Sequence, residues 1–178
     1  MVDSILDVKN LSGGYDDLLV VRDISLEIHS GQAISITGRN GVGKSTLLKL
    51  IFGNLKPYQG EVNFLNSNLE KIASHNRLDL GISYAPQENI VFDNLTLEEN
   101  LTLHYEESNL KHYQSLFEKF PRLRERLDQK AGTLSGGEKK RNEILQMCLL
   151  EPKFVILDEV DYMTKNAQHA LKYLIQQY

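Results

Sequence analysis

Short apolar stretches separated by turns dominate the first third of the chain. Residues 5–8, 24–28 and 33–37 have the apolar character of β-strands, and turns rich in glycine separate them. A strand-like run returns at residues 61–65. Residues 154–157 are continuously apolar, which is typical of a parallel strand covered on both faces. The pattern predicts an α/β fold.

Helical spacing of apolar residues occurs at three places. Residues 45–52 and 139–150 each follow a glycine-rich turn, and residues from about 96 to 130 combine high charge with apolar positions three and four apart. The last of these segments is predicted to be a helical insertion. We therefore expect a single domain over residues 1–178, with its core at 1–95 and 151–178 and a helical subdomain at about 96–150.

Composition limits the classes of function. The chain has 178 residues, 41% hydrophobic and 25% charged, which is enough for one sizeable core. Its net charge of −4 and the lack of a basic segment predict no nucleic-acid partner. No apolar run approaches the roughly eighteen residues of a membrane span, and residues 1–4 do not resemble a signal peptide. The single cysteine, Cys148, favours a reducing cytosolic setting and is expected in the core.

The sequence GRNGVGKS at residues 38–45 fits the phosphate-loop pattern G-x-x-x-x-G-K-[ST] at every defined position. It lies between a strand-like run and a helix-like run, so its backbone N–H groups would converge on one point that suits a polyphosphate. A glycine-rich turn that merely joins the two elements is the alternative, but the Lys-Ser pair favours a nucleoside triphosphate site. The expected contacts to the nucleotide come from Gly38, Arg39, Asn40, Gly41, Val42, Gly43, Lys44, Ser45 and Thr46.

Two acids, Asp158 and Glu159, end the apolar run at 154–157. An acid at the carboxyl end of a buried parallel strand lies where α/β sheets bind ligands. We expect Asp158 and Ser45 to hold Mg²⁺, and Glu159 to polarise an attacking water. A solvated acidic turn is the alternative, and the phosphate loop upstream favours the magnesium site.

A third motif, residues 134–138, opens the helix-like run before those acids. Ser135 suits a helix N-cap, and the glycines allow a ligand close to the backbone. Between the other two motifs, this sequence closely resembles the signature of ABC-type ATPases. The resemblance implies that Ser135, Gly136 and Gly137 bind the γ-phosphate of ATP held by a partner subunit, in a head-to-tail dimer with two nucleotides between the subunits.

Other positions extend the resemblance. Tyr15 resembles the aromatic residue that stacks on adenine in this family, and Val20 falls where a small apolar residue supports the base. Residues 84–87 resemble the loop whose glutamine, here Gln87, contacts Mg²⁺ and senses the transporter domain. Read alone, Tyr15 could be a core residue and Gln87 a surface turn residue; their order around the other motifs favours function.

The match covers residues 5 to about 157. Residues 5–133 resemble the ATP-binding subunit of branched-chain amino acid importers, whereas 134–157 are more similar to the ABC ATPase of iron–sulfur cluster assembly, which serves soluble partners. The implied fold is a P-loop NTPase with a mostly parallel sheet, an N-terminal antiparallel β subdomain and a helical insertion. The implied partners are a second nucleotide-binding subunit, in a homo- or heterodimer, and a membrane permease. The chain would then be cytoplasmic, or peripheral at the inner face of the membrane.

The sequence departs from the family after Glu159. The family continues with a Ser-x-Leu-Asp loop and a switch histidine, whereas residues 161–171 resemble the corresponding helix of AAA+ clamp loaders. An amphipathic helix with similar letters is the alternative. The patchwork suggests a recombined, engineered or truncated chain with a C-terminally incomplete sheet. His169 is expected on the surface, so turnover is expected to be slow. Two functions remain: an ABC-type ATPase subunit, or a nucleotide-binding module with little turnover.

Overall fold

The computed structural model describes residues 4–88, 90–103, 110–149 and 151–158. They fall into two compact units. The first runs to Tyr84 and includes Lys153–Asp158, and the second lies between Ala85 and Pro152. None of the helices in this described part is long and apolar enough to cross a membrane. The subdomain boundaries given above stay predictions.

An antiparallel sheet forms much of the first unit. Strands β1 (Ser4–Tyr15) and β2 (Leu18–His29) form a long hairpin, followed in the sheet by β3 (Gln59–Phe64) and β4 (Ser67–Asn68) in the order β2-β1-β3-β4. The predicted runs at 5–8, 24–28 and 61–65 therefore lie inside longer or shifted strands. Both hairpin strands are longer than the predicted apolar runs. Polar residues alternate with buried ones along them, and such alternation continues a strand beyond its apolar run.

A second sheet contains β5 (Ile82–Ala85) and β6 (Phe154–Leu157), which pair as parallel strands. The predicted strand at residues 33–37 is wrong for the described structure, in which this segment joins neither sheet. A strand needs a hydrogen-bonded neighbour, and the only strand that pairs with β6 among the described residues is β5. Within the described structure, residues 33–37 therefore do not pair with β6.

Helix α1 (Lys44–Phe52) packs its apolar face into the core of the first unit. It ends at Gly53, whose positive φ of 87° terminates the helix. A short 3₁₀ helix, Ser74–Arg77, brings the Arg77 side chain into the same core. Its guanidinium donates to the carbonyl oxygens of Ile51, Leu69 and Ile72 at 2.9, 2.7 and 3.1 Å. Burial lowers the pKa of Arg77.

The second unit is helical, as the charge-rich segment predicts. It contains α2 (Leu97–Thr102), α3 (Gln114–Lys119), α4 (Pro121–Arg124) and α5 (Gly136–Leu149), with 3₁₀ turns at Leu110–Tyr113 and Ala131–Thr133. Helix α2 begins with a capping box, because the Thr96 hydroxyl accepts from the Glu99 N–H and the Glu99 carboxylate accepts from the Thr96 N–H.

Candidate functional site

The loop before α1 adopts a conformation that its glycines make possible. Gly41 and Gly43 have positive φ values of 80° and 103°, in the left-handed region that favours glycine. A Cβ atom on Gly43 would lie 2.9 Å from Val20 Cγ1. Strand β2 therefore approaches the loop at Val20, the residue predicted to support the base.

The N-terminus of α1 is open. The helix starts at Lys44 after Gly43, which has no side chain to cap it, and no acidic residue occupies its first turn. The first N–H groups of an α-helix lack partners within the helix, and the helix dipole adds partial positive charge there. An uncapped, acid-free terminus behind a glycine-rich loop therefore suits an external anion such as a phosphate.

The Lys44 ammonium group lies over the same loop. Its Nζ atom donates to the carbonyl oxygens of Gly38 and Arg39 at 2.9 and 3.1 Å. The side chain thus places its ammonium group beside the open helix terminus. Arg39, Asn40 and Val42 are exposed and Thr46 is buried.

Ser45 and Asp158 meet although 113 residues separate them. Ser45 Oγ donates to Asp158 Oδ1 at 2.9 Å, and the Tyr84 hydroxyl lies 3.4 Å from Asp158 Oδ2. Asp158 is only 4% exposed at the end of β6. A hydroxyl and a carboxylate oxygen are among the ligands that Mg²⁺ prefers, directly or through water. The pair therefore fits the magnesium site expected from the sequence.

Tyr15 lies at the turn of the β1–β2 hairpin, and 42% of its surface is exposed. Lys49 of α1 places its Nζ atom 6.0 Å from the centre of the Tyr15 ring. An exposed ring at the end of a strand can stack on a base. Its role as the adenine contact stays a prediction.

The signature motif lies in the second unit and is held locally. The Ser135 N–H and hydroxyl both donate to Glu138 Oε2, at 3.0 and 2.8 Å. Arg126 Nη1 contacts the other carboxylate oxygen of Glu138 at 2.5 Å. The pKa of Glu138 is lowered, first by the Ser135 N–H, then by the Ser135 hydroxyl and by Arg126. Ser135 and Gly136 are exposed and Gly137 is half-buried.

Several predicted site residues belong to the second unit or lie outside the described residues. Gln87 is exposed, and it belongs to the second unit, as does the signature motif. Glu159, His169 and the clamp-loader-like tail lie outside the described residues. The catalytic role of Glu159 and the surface position of His169 stay predictions.

The structure also adds side chains that the sequence did not single out for the site. Tyr84 was noted only as part of a loop motif, yet its hydroxyl faces Asp158. Its position on β5, the neighbour of β6, could have indicated this, because adjacent parallel strands end at the same sheet edge. Lys49 is one helical turn beyond Ser45 on α1 and carried no comparable signal.

Most of the chain matches known proteins in sequence. The ABC transporter family model matches residues 21–161. A probable branched-chain amino acid transport ATP-binding protein, LivF of Archaeoglobus fulgidus, is 36% identical over 160 residues, which is 87% of this chain and 67% of that protein. The lipopolysaccharide export system ATP-binding protein LptB of Haemophilus influenzae is 34% identical over 165 residues, 88% of this chain and 67% of that protein.

Solved structures agree with the sequence matches. The structure of an ATP-binding subunit of an ABC transporter superposes with a TM-score of 0.82 at 31% identity, covering 97% of this chain and 74% of that one. A nucleotide-free ATP-binding cassette from an ABC transporter superposes at 0.80, with 24% identity, over 98% of this chain and 77% of that one, and supports the fold. The chain belongs to the ABC transporter family, as an ATP-binding domain of the P-loop ATPase class.

Proposed function

We propose that this chain binds Mg-ATP at the 38–45 loop and couples binding and hydrolysis to head-to-tail closure of a dimer on a transporter partner. The hydrogen bond between Ser45 and Asp158 carries the nucleotide part of the proposal. It joins the first residues of an uncapped helix to a buried acid at the end of β6. A surface turn that served only as a connection would need no such acid.

The loop supplies attraction for the phosphates. Lys44 donates to two carbonyl oxygens, which are neutral acceptors. Phosphate oxygens carry negative charge and carbonyl oxygens do not, so the ammonium group would attract the phosphates more strongly and exchange the carbonyls for them. The N–H groups of the open helix terminus would donate to the same ligand.

The oxygens of Ser45 and Asp158 would hold Mg²⁺, which would neutralise part of the phosphate charge. Asp158 is held in place from both sides by the hydroxyls of Ser45 and Tyr84. A carboxylate positioned this way orients the water shell of the metal without rearranging. Gln87 is proposed as a further contact to Mg²⁺, and Glu159 as the residue that polarises the water for hydrolysis.

Dimer closure and the transporter partner rest on the family. Resemblance to the family implies that Ser135, Gly136 and Gly137 bind the nucleotide held by the opposite subunit. The relatives LivF and LptB are transport and export ATP-binding proteins by name. Tyr15 and Val20 are proposed to receive the adenine base.

An equilibrium titration with a fluorescent ATP analogue, in Mg²⁺ and in EDTA, tests the nucleotide site. We expect wild-type protein to bind more tightly in Mg²⁺. Asp158→Asn should reduce this gain by about 10-fold or more, because orienting groups of a metal site are typically worth that much. Asp79→Asn, which makes the same charge change at an exposed position, is the matched control.

Equal gains from Mg²⁺ in wild type and Asp158→Asn would contradict the metal site. Wild-type protein that binds the analogue in neither condition would contradict the nucleotide site altogether.

A further inference from the structure

Tyr58 contacts the β1–β2 hairpin on both sides of Tyr15. Its backbone N–H donates to the carbonyl oxygen of Ser12 at 2.9 Å. Its hydroxyl donates to the carbonyl oxygen of Asp16 at 2.5 Å. One residue, just before β3, therefore holds the strand before Tyr15 and the turn immediately after it.

The turn that Tyr58 holds contains a residue in the left-handed region. Asp16 has a positive φ of 46°, which is uncommon for a residue other than glycine. Such a conformation persists where surrounding contacts impose it. The hydrogen bond from the Tyr58 hydroxyl is a contact of this kind, and it comes from outside the hairpin.

The hairpin is fixed on another side by α1. A Cβ atom on Gly13 would lie 2.7 Å from Leu50 Cδ2, so the strand runs close against this helix. Lys49, on the same helix, reaches the ring of Tyr15. With α1 behind the strand and Tyr58 holding the turn, the backbone that carries Tyr15 is held from two directions.

We propose that Tyr58 is a positioning residue for base recognition. Its hydroxyl fixes the turn, and the turn orients the Tyr15 ring. This inference rests on the proposed function, in which Tyr15 stacks on adenine. Tyr58 itself needs no contact with the nucleotide. Its hydroxyl reduces the reorientation of Tyr15 when the base binds, and preorganisation of this kind raises affinity.

The test uses the full chain and two ligands, Mg-ATP and inorganic tripolyphosphate, the second of which has no base. Tyr58→Phe removes only the hydroxyl. Because one hydrogen bond has a modest net value, we expect ATP affinity to fall about threefold. Tripolyphosphate affinity should stay unchanged, since its contacts lie in the 38–45 loop. Thermal unfolding of both proteins monitors the fold.

A double-mutant cycle distinguishes positioning from a general structural role. In a Tyr15→Ala background, Tyr58→Phe should have no further effect on ATP affinity, because the ring that it positions is gone. Equal weakening in both backgrounds, equal weakening of tripolyphosphate, or no weakening of ATP would each overturn the inference. Failure of wild-type protein to bind either ligand would instead overturn the proposed function, so the two failures are distinguishable.

Discussion

Helices α1 and α5 both begin within glycine-containing motifs, but the donors at their N-termini have different partners. Helix α1 has no side-chain cap and no acid in its first turn. At the start of α5, Glu138 accepts hydrogen bonds from the N–H and the hydroxyl of Ser135. The first terminus leaves donors for an external anion, whereas the second already has an internal one.

The buried faces of the two helices differ as well. Helix α1 buries Thr46 and four large apolar residues. Helix α5 also buries large apolar residues, but it buries in addition the consecutive polar residues Lys140, Arg141, Asn142 and Glu143. Within this group, Lys140 Nζ lies 3.2 Å from Glu143 Oε2 and also contacts the carbonyl oxygen of Pro86.

Two similar motifs therefore differ in how accessible their hydrogen-bond donors are to a ligand. A phosphate can approach α1 without displacing an acidic side chain. A phosphate approaching Ser135 must compete with the Glu138 carboxylate, which already occupies its donors. We therefore expect changes at the α1 loop to act on ATP affinity directly, and changes at α5 to act on dimer formation and stability.

The largest effect is expected from Lys44→Ala. It removes the ammonium group beside the open terminus of α1, and a hydrogen bond to a charged group is worth about 1.5–3 kcal/mol. ATP affinity should fall by about 100-fold or more in a titration with a fluorescent analogue. Lys56→Ala, which removes an exposed lysine of the same unit, is the control. Undiminished affinity in Lys44→Ala would remove the distinction between the two helix termini.

Ser135→Arg addresses the α5 terminus. If Ser135 serves a nucleotide on the opposite subunit, the bulky cation should abolish dimers that form with a non-hydrolysable ATP analogue, while the isolated chain binds the analogue normally. Sedimentation velocity with and without the analogue measures this. Ser67→Arg, at an exposed position on β4, is the control. Loss of binding by the Ser135→Arg monomer would count against the head-to-tail arrangement.

Features that depend on residues close together in the chain could be predicted from the sequence. The phosphate loop, α1 and the strands around residues 5–8 and 154–157 follow from local spacing and glycine positions. The meeting of Ser45 with Asp158 was expected only because each belongs to a known motif. Spacing alone does not specify a contact across 113 residues.

Features that depend on distant partners were missed. Residues 33–37 have the letters of a strand, but a strand also needs a neighbour, and the described chain supplies none. Arg77 lies in the polar run Ser74–Arg77, which suggests a surface turn. Three carbonyl oxygens converge on its guanidinium, and that allows the charge to be buried. Tyr58 was likewise recognisable only from its two contacts with the hairpin.

The buried Glu143 of α5 predicts a pH dependence of stability. Burial raises the pKa of Glu143 to about 7, although Lys140 opposes the shift. Because the folded pKa exceeds the unfolded one, this group contributes stability that is present below about pH 4.5 and is lost as pH rises through about 7. The free energy of unfolding should therefore decline over this range.

In Glu143→Gln the decline should be smaller by about 1–3 kcal/mol, since the titrating group is gone. Urea unfolding from pH 5 to 8.5 measures the slopes. Glu118→Gln, an exposed residue of α3, should keep the wild-type slope. Identical slopes in wild type and Glu143→Gln would show that burial of this carboxyl does not govern its titration.

The smallest effect is expected from Glu138→Gln, which keeps a hydrogen-bond acceptor at the α5 terminus and removes its charge. The cost in free energy of unfolding near neutral pH should be about 0.3–1 kcal/mol, the usual value of an acid at an exposed helix N-terminus.

The folded pKa of Glu138 is lowered. Its contribution is therefore complete above the unfolded value and disappears as pH falls through the lower folded value. Urea unfolding at a series of pH values should show the difference between wild type and Glu138→Gln shrinking as pH decreases below about 4.5. ATP affinity of the monomer should not change. A large loss of ATP affinity in Glu138→Gln would show that the α5 terminus acts on the nucleotide of its own chain, and the contrast with α1 would fail.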